Sequence, residues 1–312
     1  MALIRLILLL GIMLAVTSPL CAEKPSAAPV TNSEAKADAS HEKAASHGLT
    51  AHAVPLLKVG PLIITNSMVV CWAVALTLIL VAQLATRNIT PVPGGLQNFC
   101  EWLIEGLYDF FAGIVGRHLI GKSFWFFCTI FLFILASNWF GLIPGVGTIG
   151  WGHQGDHGFV VEQPLLRGVN ADLNMTLSMA ALFMVLWMVW ALQTNGIGGF
   201  VGHIFNVKGH GGGVLGTFLV VVFIFVGMIE IVSISVRPVA LTFRLYGNIF
   251  AGENILETVM HMGGPWFGWL AALPFYLLEV LVGLVQALVF ALLTSVFTAL
   301  ICEHHHDAQA KH

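Results

Sequence analysis

The stretch "LIITNSMVVCWAVALTLILVAQLAT" (62–86) contains no charged residue. At about 1.5 Å of rise per residue, a helix of this length spans the roughly 30 Å hydrocarbon core of a bilayer. Charge-free runs follow at 123–143 and 173–194, and two longer apolar segments cover about 215–260 and 266–302. The sequence therefore predicts an all-α, polytopic membrane protein with about five membrane helices.

The composition supports a membrane protein. Of the 312 residues, 57% are hydrophobic and 9% are charged, whereas soluble domains contain about 25% charged residues. The formal net charge of -3 is too small to indicate a nucleic-acid partner. We expect the lipid bilayer to surround most of the chain, and we expect no nucleic acid to bind it.

One predicted helix differs from the membrane spans. Residues 96–115 carry Gln97, Glu101, Glu105 and Asp109 at a spacing of four, with apolar residues mainly on other faces. This pattern is typical of an amphipathic helix at the membrane interface. Three carboxylates on one stripe could also hold a metal ion, but like charges on one helical face more often form a solvated surface. We expect no metal site and no cofactor.

The two ends of the chain differ from its middle. Residues 1–22 combine an early cation, an apolar run and small residues near the end, which is typical of a signal peptide; an uncleaved signal anchor is the alternative. Residues 23–54 are poor in large apolar residues, so we expect a flexible exported tail. Residues 55–303 form the predicted membrane domain, and 304–312 form the expected cytoplasmic C-terminal tail.

Three connections between the predicted helices contain many glycines. We expect a loop at about 144–170, a turn at 195–213 because its glycines disfavour a helix interior, and a turn at 261–266 between the last two apolar segments. Short cytoplasmic loops are enriched in Lys and Arg. With an exported N-terminus, four such residues fall inside: Arg87, Arg117, Lys122 and Lys208. Arg167 falls in an outer loop, and the C-terminus is cytoplasmic.

The last two apolar segments contain a few ionisable side chains. Such residues cost on the order of 3 kcal/mol each near a helix centre, so they usually line a polar path or pair with each other. Snorkelling at the interface is the alternative, and it suits Glu257 and His261 near the turn at 261–266 as well as Arg237. The ionisable residues are Glu230, Arg237, Arg244, Glu253, Glu257, His261 and Glu279.

Helical periodicity places several of these side chains on common faces. Offsets of seven and four residues nearly close whole turns, so Glu230, Arg237, Arg244 and Asn248 share one polar stripe. Glu279 and Gln286 share a face of the last helix, and Glu253, half a turn away from the stripe, is expected to face them. Carboxylates titrate, whereas a guanidinium keeps its proton above pH 12. The pattern indicates a proton path that is divided by a fixed charge.

The segment "RPVALTFRLYGNIFAGE" (237–253) resembles the signature of subunit a of the F-type ATP synthase, an Arg-Leu-x-Gly-Asn-x-x-Ala-Gly motif. The matching positions are Arg244, Leu245, Gly247, Asn248, Ala251 and Gly252. Three other stretches resemble the family in the family's order: "SNWFGLIPG" (137–145), "ADLNMTLSMA" (171–180) and "PFYLLEVLVGLVQALVFALLT" (274–294). The resemblance covers roughly residues 55–303.

The resemblance implies a stator subunit that carries protons through two half-channels beside a rotating ring of c subunits. Arg244 would be the family's essential arginine, facing the carboxylates of that ring. An outer channel would contain Asn248, Glu253, Glu279 and Gln286, and Glu230, Ser233 and Ser235 would lie toward the cytoplasmic exit. Secondary positions are Arg237, Asn138 and Asp172. The resemblance also implies two long, strongly tilted last helices.

The same resemblance implies partners and a location. The partners are the c ring, the b-subunit peripheral stalk and the rest of the synthase, in a bacterial inner membrane. As a membrane subunit of a larger complex, the chain is expected to be non-catalytic by itself. Two positions depart from some relatives: Glu279 stands where His can occur, and Gly141 replaces an acidic residue.

Two other functions fit parts of the sequence. An ion-coupled secondary transporter would also bury charges, but such folds tend to show internal repeats, and no second copy of the Arg244 segment occurs. A membrane redox or metal protein would use the histidines, but no His pair sits at matching depth in the apolar segments. Copurification with a ring of small hairpin subunits would distinguish the synthase subunit from both alternatives.

Overall fold

The computed structural model describes residues 55–59, 62–143, 146, 149–155, 158–205 and 214–309. The expected signal peptide (1–22), the expected exported tail (23–54) and residues 310–312 lie outside the described residues. The expected membrane domain is described apart from its short gaps.

Helices dominate the described part of the chain. In chain order they are α1 (Asn66–Thr86), α2 (Gly95–Val115), α3 (Arg117–Gly141), α4 (Leu173–Phe205), α5 (Val214–Met262) and α6 (Gly264–Gln309). All but α2 contain a segment long and apolar enough to cross a membrane, which makes five candidate spans among the described residues. The predicted all-α, polytopic membrane protein with about five membrane helices is confirmed.

Two short antiparallel hairpins were not predicted. Strand β1 (Pro55–Val59) pairs with β2 (Leu62–Thr65), and β3 (Gly150–Gly155) pairs with β4 (Gly158–Pro164). The prediction that the first span begins at residue 62 is wrong for residues 62–65, which are rich in the β-branched side chains that favour strands. The remaining 21 residues of α1 still suffice for one crossing.

Helix α2 matches the predicted amphipathic segment, and its polar stripe is not uniform. Glu101, Glu105 and Asp109 are exposed, as expected for a solvated face. Gln97 is buried instead, and its Nε2 donates to Glu101 Oε1 at 2.7 Å and to the carbonyl oxygen of Thr90 at 3.2 Å. Gln97 therefore fixes the chain that leads from α1 into α2.

Helix α4 continues beyond the point where we expected a turn. The backbone leaves the helical region at Gly196, with φ 66° and ψ 167°, and a second helical piece then extends to Phe205. Only glycine adopts such a conformation readily. The expected break is present at Gly196, but the prediction of a turn is wrong for residues 197–205, where local hydrogen bonding outweighs the low helix propensity of glycine.

Helices α5 and α6 form a hairpin of unusual length. They contain 49 and 46 residues, and the expected turn between them lies at residues 263–264, where Gly264 has φ 65°. A 49-residue helix is about 70 Å long, more than twice the thickness of a hydrocarbon core. Such a helix does not fit upright in a bilayer, so its length favours the tilt that the resemblance implies.

Aromatic side chains of α3 occupy the middle of the helical bundle. Phe126, Phe127 and Phe133 are almost fully buried. The ring of Phe126 stacks on Phe183 at 6.2 Å and meets the edge of Trp190 at 5.6 Å, which joins α3 to α4. In a lipid environment such close packing, rather than exclusion of water, holds helices together. The packed α3 surface gives the neighbouring polar groups fixed positions.

Candidate functional site

Arg244 lies on the outward surface of α5. The inward surface is formed by Leu241, Leu245 and Ile249, which recur every four residues and are at most 5% exposed. Arg244 lies about 100° around the helix from Leu245, beside this buried face, and is exposed, as is Asn248 one turn further on. Within the described part of the chain, Arg244 makes no hydrogen bond and no ion pair. A permanent cation is thus presented outward from an apolar helix.

Asn248 connects this surface to α6. Its Nδ2 donates a hydrogen bond to Gln286 Oε1 at 3.0 Å. Gln286 is buried, and its Nε2 has no hydrogen-bond partner among the residues that the structure describes. The two predicted site residues are therefore brought together beside Arg244, with one amide group left to bind something else.

Beyond Asn248, Glu253 of α5 and Glu279 of α6 occupy neighbouring positions. The carboxylate of Glu279 lies against Gly252, so that a Cβ atom at Gly252 would collide with it. A Cβ atom at Gly168 would likewise collide with Glu253 Oε1, and one at Gly141 would lie 3.3 Å from the same oxygen. The charges that act on Glu253 include Glu279, as the shared face predicts. Because these three glycines have no side chain, there is room for the two carboxylates.

Arg167 is a site residue that sequence reasoning missed. It was placed in an outer loop by the charge rule, yet its side chain is 2% exposed and is the cation that acts on Glu253. Its Nη2 donates to the carbonyl oxygen of Ala171 at 3.0 Å. The available signal was an isolated arginine six residues before the charge-free run that begins at Leu173, in a loop with no other Lys or Arg.

A row of buried amides runs from α6 toward this loop. Asn138 Nδ2 donates to the carbonyl oxygen of Gly283 at 2.9 Å, and Asn170 Nδ2 donates to Asn138 Oδ1 at 2.6 Å. The side-chain oxygens of Ser137 and Asn170 have no hydrogen-bond partner in the described residues. Asn138, a predicted secondary residue, therefore lies in a polar layer between α3 and α6.

Asp172, the other predicted secondary residue on this side, is engaged at both oxygens. Oδ1 accepts a hydrogen bond from the backbone N–H of Asn174 at 3.0 Å, at the start of α4. Oδ2 accepts one from Ser67 Oγ at 2.5 Å, at the start of α1. Satisfying the first N–H groups of a helix stabilises its N-terminus. In this geometry Asp172 caps α4 and ties it to α1.

The other half of the polar stripe lies on the opposite side of Arg244. Arg237 Nη2 and Glu230 Oε1 are 3.1 Å apart, which shows that these residues share one face of α5 as the spacing predicts. Ser233 and Ser235 are exposed on the same segment, and Ser235 Oγ donates to the carbonyl oxygen of Ile231 at 2.9 Å. The Glu230 pair is separate from the Glu253 cluster along the helix.

The arrangement combines two kinds of chemistry. Carboxylates on both sides of Arg244 can take up and release protons, and amides and hydroxyls can support water between them. Arg244 carries a positive charge, so it attracts anions and repels cations. The site is suited to passing protons in two separate stages rather than along one continuous path.

Comparison with known proteins shows the family of this chain. A family model described as "ATP synthase A chain" matches residues 68–299. ATP synthase subunit a of Desulfotalea psychrophila is 34% identical over 242 residues, which is 77% of this chain and 85% of the relative. The subunit a of Solidesulfovibrio magneticus is 30% identical over 245 residues, covering 78% and 87% of the two chains. This chain therefore belongs to the family of ATP synthase subunit a, the non-catalytic, proton-conducting membrane subunit of the bacterial ATP synthase.

Proposed function

We propose that this chain forms two proton half-channels separated by Arg244, and that Arg244 faces the ion-carrying carboxylates of a rotating c ring. The observation that carries the proposal is the outward position of Arg244 on an apolar helix, without an ion pair or hydrogen bond in the described part of the chain. Such a charge is costly in lipid unless an anion meets it. A carboxylate from a neighbouring subunit is the anion that a proton-conducting partner would bring.

The outer half-channel would contain Glu253, Glu279, Gln286 and Asn248. Buried polar atoms that lack a protein partner commonly bind water. In the described residues such atoms occur on Glu279 Oε1, Gln286 Nε2, Asn170 Oδ1 and Ser137 Oγ. They support a hydrated path that leads past Asn138 to the carboxylates and ends beside Arg244, while Asp172 holds the helices that enclose it.

The inner half-channel would begin at Glu230, with the exposed hydroxyls of Ser233 and Ser235 beside it. Glu230 lies fourteen residues before Arg244, about four turns along α5. A proton that leaves the ring on that side would meet a carboxylate rather than the guanidinium. The exported N-terminus, the cytoplasmic C-terminus and the contact with the b-subunit stalk belong to the same proposal.

Reconstitution tests the function of the whole assembly. The purified complex in liposomes is expected to acidify the lumen when ATP is added, and a c ring should copurify with this chain. Measurement with and without sodium shows which ion is transported. Purification of this chain without a c ring, or no ATP-driven proton transport by an assembled complex, would contradict the proposal.

The glycines around the two carboxylates give a local prediction. Gly252→Ala and Gly168→Ala are each expected to displace the Glu279 or Glu253 carboxylate, because the new Cβ would collide with the end of that flexible side chain rather than with backbone. A shift of about 1 Å in a reacting group can cost two orders of magnitude in rate. The undisplaced carboxylate can partly replace the displaced one, so we expect proton pumping to fall by up to about tenfold.

The matched control for these variants is Gly106→Ala on α2, where a Cβ meets nothing within 4 Å. The amount of assembled complex should be the same in all three variants, and pumping should remain normal in Gly106→Ala. Equal pumping rates in Gly252→Ala, Gly168→Ala and the control would mean that the carboxylate positions do not matter for transport.

A further inference from the structure

We propose that Arg237 is a positioning residue that holds Glu230 in place and fastens the adjoining part of α5 to α6 through the ring of Phe297. The inference deepens the inner half-channel and rests on the proposed function. Its basis is a set of contacts that Arg237 makes within its own helix, α5, and with α4 and α6.

The first contact is the ion pair with Glu230. Arg237 Nη2 lies 3.1 Å from Glu230 Oε1, and the two side chains are 25% and 43% exposed. A partly exposed Glu on a helix can adopt many rotamers. A charge-assisted hydrogen bond to a guanidinium that is itself fixed reduces this freedom. Arg237 therefore selects one position for the Glu230 carboxylate.

The second contact fixes the guanidinium. The Cζ atom of Arg237 lies 4.7 Å from the centre of the Phe297 ring on α6, within the range of a cation–π interaction. Phe297 is held in turn from α4, because Trp187 Nε1 donates to its carbonyl oxygen at 3.0 Å. Phe183 and Met184 line the apolar space beside Arg237. Three helices thus meet at one side chain.

The neighbouring residue explains why α5 needs this attachment. Pro238 lies inside α5 and has no N–H, so the helix lacks one backbone hydrogen bond next to Arg237. A helix that is weakened at one turn bends more easily there. The contact of Arg237 with Phe297 restrains α5 at that turn. Glu230 and Arg244 lie on either side of the turn, so the restraint keeps their relative positions constant.

A double-mutant cycle tests whether Arg237 acts through Glu230. In inverted vesicles that contain the whole complex, Arg237→Gln is expected to lower ATP-driven proton pumping about fivefold, the effect of losing a partly exposed ion pair. In a Glu230→Gln background the same change should cause no further loss, because residues that act as a unit are non-additive. Arg237→Lys, which keeps the charge, should retain at least half of the pumping rate.

Three further variants complete the test. Phe297→Leu removes the ring but keeps the carbonyl that Trp187 contacts, so pumping should fall about twofold in the native background and not at all in Arg237→Gln. Arg87→Gln, which changes an exposed cation after α1, should pump normally. Arg244→Ala tests the proposed function itself.

The outcomes separate the two proposals. If the losses of pumping caused by Arg237→Gln and Glu230→Gln multiply in the double variant, or if either single variant pumps normally, the role of Arg237 is overturned. A non-pumping Arg244→Ala would in that case still uphold the proposed function. Normal coupling in Arg244→Ala would overturn the proposed function. If the complex with Arg237→Gln does not assemble, the other two variants decide. Full pumping in Phe297→Leu would overturn the inference. A twofold loss of pumping in Phe297→Leu, together with recovery of pumping in Arg237→Lys, would support it.

Discussion

Arg244→Ala is expected to abolish ATP synthesis driven by a proton gradient, while the complex still assembles. Moving one charge across a membrane potential of 100 mV releases about 2.3 kcal/mol. A continuous path between two half-channels would release this energy without turning a rotor. In the proposed mechanism, the fixed positive charge of Arg244 would block such a path and would attract each arriving carboxylate in its ionised form.

ATP synthesis in vesicles is the measurement, with the amount of assembled complex determined separately. Assembly should persist because Arg244 is exposed and contributes nothing to the buried face of α5. Arg244→Lys is expected to restore synthesis only in part, since an ammonium lacks the planar fork and can lose its proton when buried. Arg237→Ala should be milder than either variant. Near-normal synthesis in Arg244→Ala would contradict the proposed barrier.

The double variant Glu253→Gln, Glu279→Gln is expected to slow proton pumping by at least about 100-fold. Glutamine keeps the shape and the hydrogen-bonding capacity of each side chain but cannot carry the proton, and a positioned acid–base group contributes about 10²-fold or more. Each single variant should retain part of the activity, because the charge of Glu279 acts on Glu253 and we expect the remaining carboxylate to replace the lost one in part.

Proton pumping over a range of pH is the measurement for these carboxylates. The matched control is Glu105→Gln on α2, which removes an exposed carboxylate far along the chain from both groups and should leave pumping unchanged. Unaltered pumping rates and unaltered pH dependence in the double variant would show that the outer half-channel does not run through Glu253 and Glu279.

Much of the fold followed from the sequence because membrane spans depend on local composition. Five charge-free or nearly charge-free segments had to be helical, since lipid offers no partner for open backbone groups. The periodicity of α5 placed Glu230 and Arg237 on one face, and the ion pair between them has that geometry. Errors arose at helix boundaries: residues 62–65 form a strand, and α4 resumes after Gly196. Hydrophobicity does not distinguish a short strand from a helix, and local hydrogen bonding outweighs the low helix propensity of glycine.

The sequence by itself determined the number of spans, the family and the order of the charges along α5. Tertiary structure alone decided which distant groups meet: Asn248 with Gln286, Glu279 with Gly252, and Arg237 with Phe297. It also brought Arg167 and Gly168 from a loop to Glu253. Helical periodicity fixes the direction in which a side chain leaves the axis of its helix. It does not fix how one helix is rotated and shifted against another. Those are set by close packing of buried faces such as Leu241, Leu245 and Ile249, which leaves Arg244 pointing outward.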